Sequence, residues 1–576
     1  MLSVDQVVTE YYPALNERKF TGPFVKTLLR RLLHERAFQD FAERYPHLRG
    51  IEFVEQVLEY FNFTFVVADR QRENIPTSGR LIIIANHPIG SLDGLALLKL
   101  VHEIRSDAKV VANDLLMTIP PLRSHLLPVK NMTGTSKKTD IERILDSLAR
   151  EEAVIIFPAG EVSRFGFRGI QDGKWQRGFL KIAERSRTPI LPVHIDGRCS
   201  KLFYLASILA PPLSTVMLVG EMFGQDRKQI RMTIGSLIPH HAYSSVATNR
   251  HEKVKLFKKS VYRIGQGKKP LFLTESAIAR PERKADLKKE VAAGERLGKT
   301  PDGKAMYLFT PADSSPVMRE VGRLREQVFR AVGEGTGNRR DLDRFDWYYR
   351  HLILWDDEDL EIAGAYRFVD AGQVLAEKGE DGLYSASLFH FDPEKSYFLK
   401  NGLELGRSFV QQRYWGKRSL DYLWYGIGAF LAKNTQYRYL FGAVSISSAL
   451  PPLARELLIY FYKLYFAGNS ETVGESCRSR NPFIFTLPLQ SLAAEFAGSD
   501  CRADFRRLKT LLGNLGVAIP PLYKQYAELC EPGGVVFLDF NVDPSFNNCV
   551  DGLVIVDLHK LKEQKRKRYI EETILV

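Results

Sequence analysis

No stretch of this sequence holds the eighteen or so consecutive apolar residues that a helix needs to span a bilayer. The opening residues, MLSVDQVVTEYYPALNERK, also lack a basic segment followed by an apolar one. Neither a spanning helix nor an export signal is expected, which places the chain in the cytoplasm. Cysteine is scarce: Cys199, Cys477, Cys501, Cys530 and Cys549 are scattered, odd in number and without paired metal-ligand spacing. That pattern argues against a disulfide framework or a zinc site, and for buried thiols in a reducing compartment. No cluster of metal ligands, internal repeat or nucleic-acid-binding motif is found. A metal-free protein with no nucleic-acid partner is the expectation.

Positive charge is in excess. Lys and Arg number 81 against 68 Asp and Glu, a net charge of +13, which favours an acidic partner such as anionic lipid headgroups or an acidic carrier protein. The 576 residues predict two or more domains. Residues 1–70 read as helices. Within PFVKTLLRRLLHERAFQDF, Phe24, Val25, Leu28, Leu29, Leu32 and Leu33 form one stripe, with Lys26, Arg30, Arg31 and Arg36 elsewhere. Such a helix either lies in a lipid interface or packs on its own domain.

Over residues 81–236 short apolar runs alternate with helical patterns: LIIIA, KVVA, AVIIFP, PILPVHI, TVMLVG and IRMTIGSLI. The spacing of the first four predicts β-α-β units with mainly parallel strands, and the closer later runs predict antiparallel extensions. A basic, polar stretch over 271–304 reads as a linker, part of it helical. It contains GERLGKT, which imitates a phosphate-binding loop, but three residues instead of four separate Gly294 from Gly298 and no apolar strand precedes it. Beyond it, EIAGAYRFV, SASLFHF, YLFGAVSI, GVVFLDFNV and GLVIVDL are strand candidates between helical stretches.

Residues 82–94, IIIANHPIGSLDG, drive an Asn86-His87 pair out of an apolar run, and Asp93 stands where the helix LDGLALLKLV begins. A strand-to-helix loop of this kind lies at the carboxyl end of a parallel strand, where open α/β sheets carry their sites. An aspartate bonded to one ring nitrogen fixes the imidazole tautomer, and the other nitrogen is free to take a proton from a hydroxyl. An N-capping Asp93 beside a core His87 fits the same residues. The pair is followed by AVIIFPAGEVSRFG and PILPVHIDG. Together these segments resemble the glycerolipid acyltransferases, the enzymes that acylate lysophosphatidic acid. Five residues separate His87 from Asp93 where that family usually has four, and its Glu and Gly are rearranged here as Gly160-Glu161. Both departures suggest a divergent branch with a different acceptor. The resemblance implies His87 as general base toward a hydroxyl that attacks an acyl thioester, Asp93 as its orienter, and backbone donors for the oxyanion. It also implies Glu161 and Arg164 as acceptor-binding residues, Arg164 suiting a carboxylate as readily as a phosphate.

The second half holds LREQVF (324–329), DLDRFDWYYRHLILWD (341–356), AGAYRF, LELGRSFV (403–410), YLFGAVSIS and VFLDFNVDPSFNNCVDGLVIVD. These resemble the acyl-carrier-dependent N-acyltransferases of the GNAT superfamily, relatives of the acyl-homoserine lactone synthases. The matching positions are Arg325 with Phe329, Asp343 and Asp346, Arg367, and Glu404 with Arg407. The resemblance implies substrate binding by Arg325, Asp343, Asp346, Arg367 and Arg407. An amine must lose a proton to be acylated, so Glu404 is the first candidate base, with Asp343 or Asp346 positioning a cationic substrate. A strand-end ion pair between Glu404 and Arg407 is the structural alternative. RYWGKRS (413–419) partly matches the GNAT pyrophosphate loop, with Arg418 replacing its last small residue. Arg413, Gly416 and Arg418 are thus expected to hold a phosphopantetheine phosphate, of an acidic acyl carrier protein in preference to coenzyme A.

The order of the two halves resembles the fused, bifunctional ornithine lipid synthases of bacteria. The fold this implies is α/β in two domains. A glycerolipid-acyltransferase-like domain with leading helices covers 1–270, a basic linker 271–304, and a GNAT-like mixed sheet flanked by helices 305–576. The implied chemistry is N-acylation of L-ornithine with a 3-hydroxyacyl group, then O-acylation of the 3-hydroxyl, with acyl carrier protein thioesters as co-substrates and no bound cofactor. Glycine, lysine or glutamine could replace ornithine. The implied location is peripheral, on the inner face of the cytoplasmic membrane. Two rival readings are a lysophospholipid acyltransferase with a non-catalytic specificity domain, and a membrane-surface binding protein.

Overall fold

A computed structural model of the chain describes residues 27, 30–31 and 34–571, apart from 114–115, 118, 130–137, 167–168, 210, 393 and 469–475. The apolar stripe Phe24, Val25, Leu28, Leu29, Leu32 and Leu33, and Lys26 beside it, lie outside the described residues. The chain divides into two compact units, Met1–Ala277 and Ile278–Val576. No helix among the described residues is long and apolar enough to cross a membrane.

The first unit is built on strands β1 (Thr64–Val66), β2 (Leu81–Ala85), β3 (Lys109–Asn113), β4 (Leu126–Val129) and β5 (Ala153–Ile156), a hairpin of β6 (Arg164–Gly166) and β7 (Gly169–Gln171), then β8 (Ile190–Asp196) and β9 (Gln229–Ile234). The main sheet has the order β1-β9-β8-β2-β5-β3-β4. Its pairs are parallel except β8 with β9. LIIIA is a continuous apolar run because β2 is covered on both faces. Leu81, Ile83 and Ala85 enter one core, and Ile82 and Ile84 the other. The sheet agrees with the β-α-β reading, with one correction. TVMLVG lies within the helix Pro211–Phe223, not in a strand. A short apolar run without alternation suits either state, and periodicity alone does not separate them.

The second unit carries β10 (Glu295–Lys299), β11 (Ala305–Phe309), β12 (Arg350–Asp356), β13 (Glu361–Asp370), β14 (Phe389–Phe391), β15 (Gly402–Val410), β16 (Tyr439–Ile446), β17 (Cys477–Ser479), β18 (Val535–Asp543) and β19 (Cys549–Asp557). Eight of them form a sheet of order β10-β11-β12-β13-β15-β16-β19-β18, while β14 and β17 pair separately. Only β15 and β16 run parallel in the eight-stranded sheet, and their register covers just Gly402–Glu404 against Tyr439–Phe441. On one face Leu403 and Leu405 pack with the helix Ser419–Lys433. On the other, Val369, Phe441, Leu553 and Ile555 pack beneath Phe345 and Tyr349.

The stretch expected as a linker is packed, and its helical part is Lys284–Val291. Phe272 is buried in the first unit, and Glu275 exchanges two backbone hydrogen bonds with Leu237. The helix Lys284–Val291 buries Leu287 and Val291 with residues of the helix Pro316–Ala331. GERLGKT contributes edge strand β10 rather than a phosphate loop. Three well-spaced apolar anchors hold the stretch down, too few to produce a periodic signal. SASLFHF is likewise a tight turn, Ser385–Ser387, leading into β14, outside the main sheet.

Candidate active sites

In the first unit β2 ends at Ala85, and the chain leaves the sheet through Asn86 and His87. Asn86 bridges the ends of two strands: its Nδ2 donates to Ile195 O (2.8 Å) and its Oδ1 accepts from Ile195 N (2.7 Å). His87 Nδ1 then stands 2.9 Å from Asp93 Oδ1. This is ion-pair distance without hydrogen-bond alignment, and neither atom has a hydrogen-bond partner among the described residues. Asp93 Oδ2 accepts from Ile89 N (2.8 Å) and Gly90 N (3.3 Å) at the start of the helix Ser91–His102. The capping and dyad readings are thus compatible, one oxygen serving each.

The His87 ring is 20% exposed and stacks on Phe157 with centroids 4.2 Å apart. Burial opposes the charged imidazole, but Asp93, reinforced by Asp172, outweighs it and raises the pKa above the ordinary 6.5. Asp172 escaped sequence reading, since an Asp-Gly pair reads as a turn. It is buried, and it accepts from His87 N (3.1 Å), Ser163 Oγ (2.6 Å) and Trp175 Nε1 (2.8 Å). Ser163 N also donates to His87 O at 2.7 Å, so the 157–164 motif is tied to the histidine loop. Glu161 and Arg164 are brought together by a 3.1 Å ion pair from Arg164 Nε.

The second unit gathers its predicted residues on the face of the sheet under Phe345 and Tyr349. Asp343 caps the short turn Arg344–Trp347, its Oδ1 accepting from Phe345 N (2.9 Å) while Asp346 Oδ2 accepts from Asp343 N (2.9 Å). Asp346 Oδ1 lies between two guanidiniums, 2.6 Å from Arg325 Nη1 and 3.0 Å from Arg367 Nη1. Burial resists that charge, yet the two cations hold the carboxyl well below the usual aspartate range. Arg367 Nη1 also donates to Asp343 Oδ1 at 2.7 Å. Both aspartates expected to position a cationic substrate thus have arginine partners within the chain. His351 Nε2 donates to Asp346 O (2.8 Å), and burial, followed by Arg325, lowers its pKa to about 4.

Glu404 is buried, with its carboxylate accepting from Ser385 N (2.6 Å), Tyr384 N (3.2 Å) and the Tyr349 hydroxyl. Burial raises its pKa, and the Ser385 and Tyr349 hydrogen bonds restrain the rise. The ion pair considered between Glu404 and Arg407 does not form. Arg407 Nε faces Asp341 Oδ2 at 3.2 Å, and Nη1 donates to the Tyr384 hydroxyl at 3.2 Å. Asp341, Tyr349 and Tyr384 were not singled out from the sequence, because their partners are distant in the chain. In the 413–419 loop, Gly416 turns at φ 73° and Arg418 precedes the helix Ser419–Lys433, 3.6 Å from Asp421 Oδ2. Arg413 is engaged by Asp359 and by Glu361, the latter at 2.8 Å.

Residues 6–268 match the family described as Acyltransferase, and residues 324–425 the Acetyltransferase (GNAT) domain. A glycine N(alpha)-acyltransferase of Bacteroides thetaiotaomicron is 32% identical over 310 residues, 52% of this chain and 90% of that protein. A lyso-glycine lipid O-acyltransferase of the same bacterium is 28% identical over 255 residues, 43% of this chain and 92% of that protein. An L-ornithine N(alpha)-acyltransferase of Brucella abortus is 35% identical over 135 residues, 22% of this chain and 44% of that protein. The chain belongs to the acyltransferases, with an Acyltransferase-family domain in its first unit and a GNAT domain in its second.

Proposed function

We propose that the chain makes a membrane lipid built on an amino acid, in two consecutive acyl transfers. The second unit joins a 3-hydroxyacyl group from acyl carrier protein to the α-amine of ornithine or glycine. The first unit then esterifies the 3-hydroxyl with a second acyl chain. The observation that carries this reading is the similarity of a single chain both to an amino-acid N-acyltransferase and to a lyso-lipid O-acyltransferase, since the product of the first reaction is the substrate of the second.

The geometry supports the following assignment of roles. In the first unit His87 takes the hydroxyl proton, Asp93 stabilises the resulting imidazolium, and Arg164 with Glu161 receives the polar head of the lyso-lipid. In the second, the turn at Gly416 and Arg418 with the start of the following helix receives the carrier's phosphate through backbone N–H groups. The carrier and the product give the protein its two acidic or lipidic partners, an acyl carrier protein and the inner face of the cytoplasmic membrane, and the charge of +13 suits both.

Expressing the chain in a bacterium that lacks such lipids should yield a new phosphorus-free amino-lipid, identified by mass spectrometry of the extract. Altered phospholipid acyl chains without that lipid would instead favour a lysophospholipid acyltransferase, and an unchanged extract would favour a binding protein. A pH profile follows as well. Because its pKa is raised, His87 keeps its proton to higher pH than free imidazole, and only the neutral ring can act as base. Esterification of supplied lyso-lipid should therefore rise with pH through a midpoint above 6.5. In Asp93→Asn, which lacks the raising charge, the midpoint should fall as the rate drops. A rate independent of pH between 5 and 9 would count against His87 as the base.

A further inference from the structure

Among the buried groups of the second unit with unmet bonding capacity are an arginine and an aspartate on one face of its sheet. Arg367 is wholly buried, and its Nε and Nη2 meet no hydrogen-bond partner among the described residues. Asp551, on β19, is 4% exposed, and its Oδ2 meets none either. Such atoms are rarely left unmet inside a folded chain. Glu404 differs, since three donors already reach it.

The unmet atoms of Arg367 and Asp551 belong to one face of the sheet. Arg367 pairs across the sheet with Gly406, Val369 with Glu404, Glu404 with Phe441, and Ser445 with Asp551. With the strand period of two, Arg367, Glu404 and Asp551 all lie on the same face. Arg407 would by alternation face the other way. A register shift between Ala365 and Arg367 places it in a bulge at φ 52°, and the bulge turns its guanidinium back, 4.8 Å from the Tyr384 ring. Arg367 lies 5.1 Å from that same ring. Ser445, the cross-strand neighbour of Asp551, donates to Glu334 at 3.0 Å.

We propose that this centre binds a free α-amino acid as its zwitterion, with the carboxylate on Arg407 and the unmet nitrogens of Arg367 and the ammonium on Asp551, which then takes the amine's proton. The assignment rests on the amino-acid acylation reading above. The Asp551 carboxylate removes one proton from the ammonium. The free amine forms a C–N bond to the thioester carbonyl carbon, the C–S bond breaks, and the second amine proton leaves with the thiol. Burial and Asp543 push the Asp551 carboxyl up to about 8, against Arg407 and with a further contribution from Glu334. A carboxyl in that range accepts an amine's proton readily once it is ionised, at and above that pH. Glu404 is a positioning residue here, holding Tyr384 and Ser385 by their N–H groups.

The test uses the full chain with a 3-hydroxyacyl carrier thioester, and glycine and ornithine as amine probes. Asp551→Asn should lower kcat for amide formation about a hundred- to ten-thousand-fold. Its residual rate should climb about tenfold per pH unit below the amine's pKa, as solution supplies free amine. Glu404→Gln should lower the rate while keeping the wild-type profile shape. Wild type should use the α-amide of its amino acid about a hundredfold less well than the acid in kcat/KM, a result that needs no variant to fold. Full activity in Asp551→Asn, equal use of acid and amide, or the pH rescue moving to Glu404→Gln would each overturn the site. Wild type acylating no amino acid would instead overturn the reading on which it rests.

Discussion

Replacing His87 by alanine is expected to stop esterification and leave amide formation intact, so that a mono-acylated 3-hydroxy amino-lipid accumulates. Loss of a general base costs about a hundred- to ten-thousand-fold in rate, and little diacyl lipid should remain in extracts analysed by mass spectrometry. The local fold should survive. The bonds that tie this loop to Asp172 and Ser163 come from the His87 backbone, which alanine retains. Asp93 keeps its capping bonds through Oδ2. Asp93→Asn should accumulate the same intermediate with some leak, because the imidazole stays and only its orientation and charge support are lost. Wild-type amounts of diacyl lipid from His87→Ala would reduce the loop to a capped helix start.

Asp346→Asn should behave in the opposite way, removing both products by destabilising the second unit. The substitution keeps the shape and removes only charge. It leaves the guanidiniums of Arg325 and Arg367 buried without the anion that lies 2.6 and 3.0 Å from them. Breaking a buried ion pair on one side typically costs about 3–5 kcal/mol, a large part of a domain's stability. Urea unfolding monitored through the second unit's tryptophans should show the loss, and lipid extracts should contain neither diacyl lipid nor intermediate. The native carboxyl is held below its ordinary 3.8, so its contribution is complete above that value and declines only as pH falls below it. An Asn variant with unchanged unfolding midpoint and full lipid output would show that the two arginines do not need this charge.

Much of the first site was legible because it is local. His87 and Asp93 lie within one strand–loop–helix segment, and the motif at 157–164 ends the neighbouring parallel strand β5, so a few residues carry the pattern. The buried run LIIIA announced a central strand for the same reason. What the site needs from further away was not legible. Asp172 reaches the histidine loop through three-dimensional folding, and nothing in its own segment distinguishes it from a turn residue.

In the second unit the residue types Arg325, Asp343, Asp346, Arg367, Glu404 and Arg407 could be picked out by motif, but their pairings could not. Sequence alone determined which residue types stand at these positions, and the one ion pair it offered, Glu404 with Arg407, does not form. Only the tertiary structure decided that Arg407 answers Asp341 and not Glu404, since a bulge redirects it against strand alternation. Asp551 did carry a faint mark, a charge within the run CVDGLVIVD, yet its place beside Arg407 and Glu334 depends on β19 pairing with β16. The segment 271–304 shows the same division. Its polarity reads as a linker, and only packing places Phe272, Leu287 and Val291 in cores and Glu295–Lys299 at a sheet edge. A handful of separated contacts fixes such a segment without leaving a period that a sequence can display.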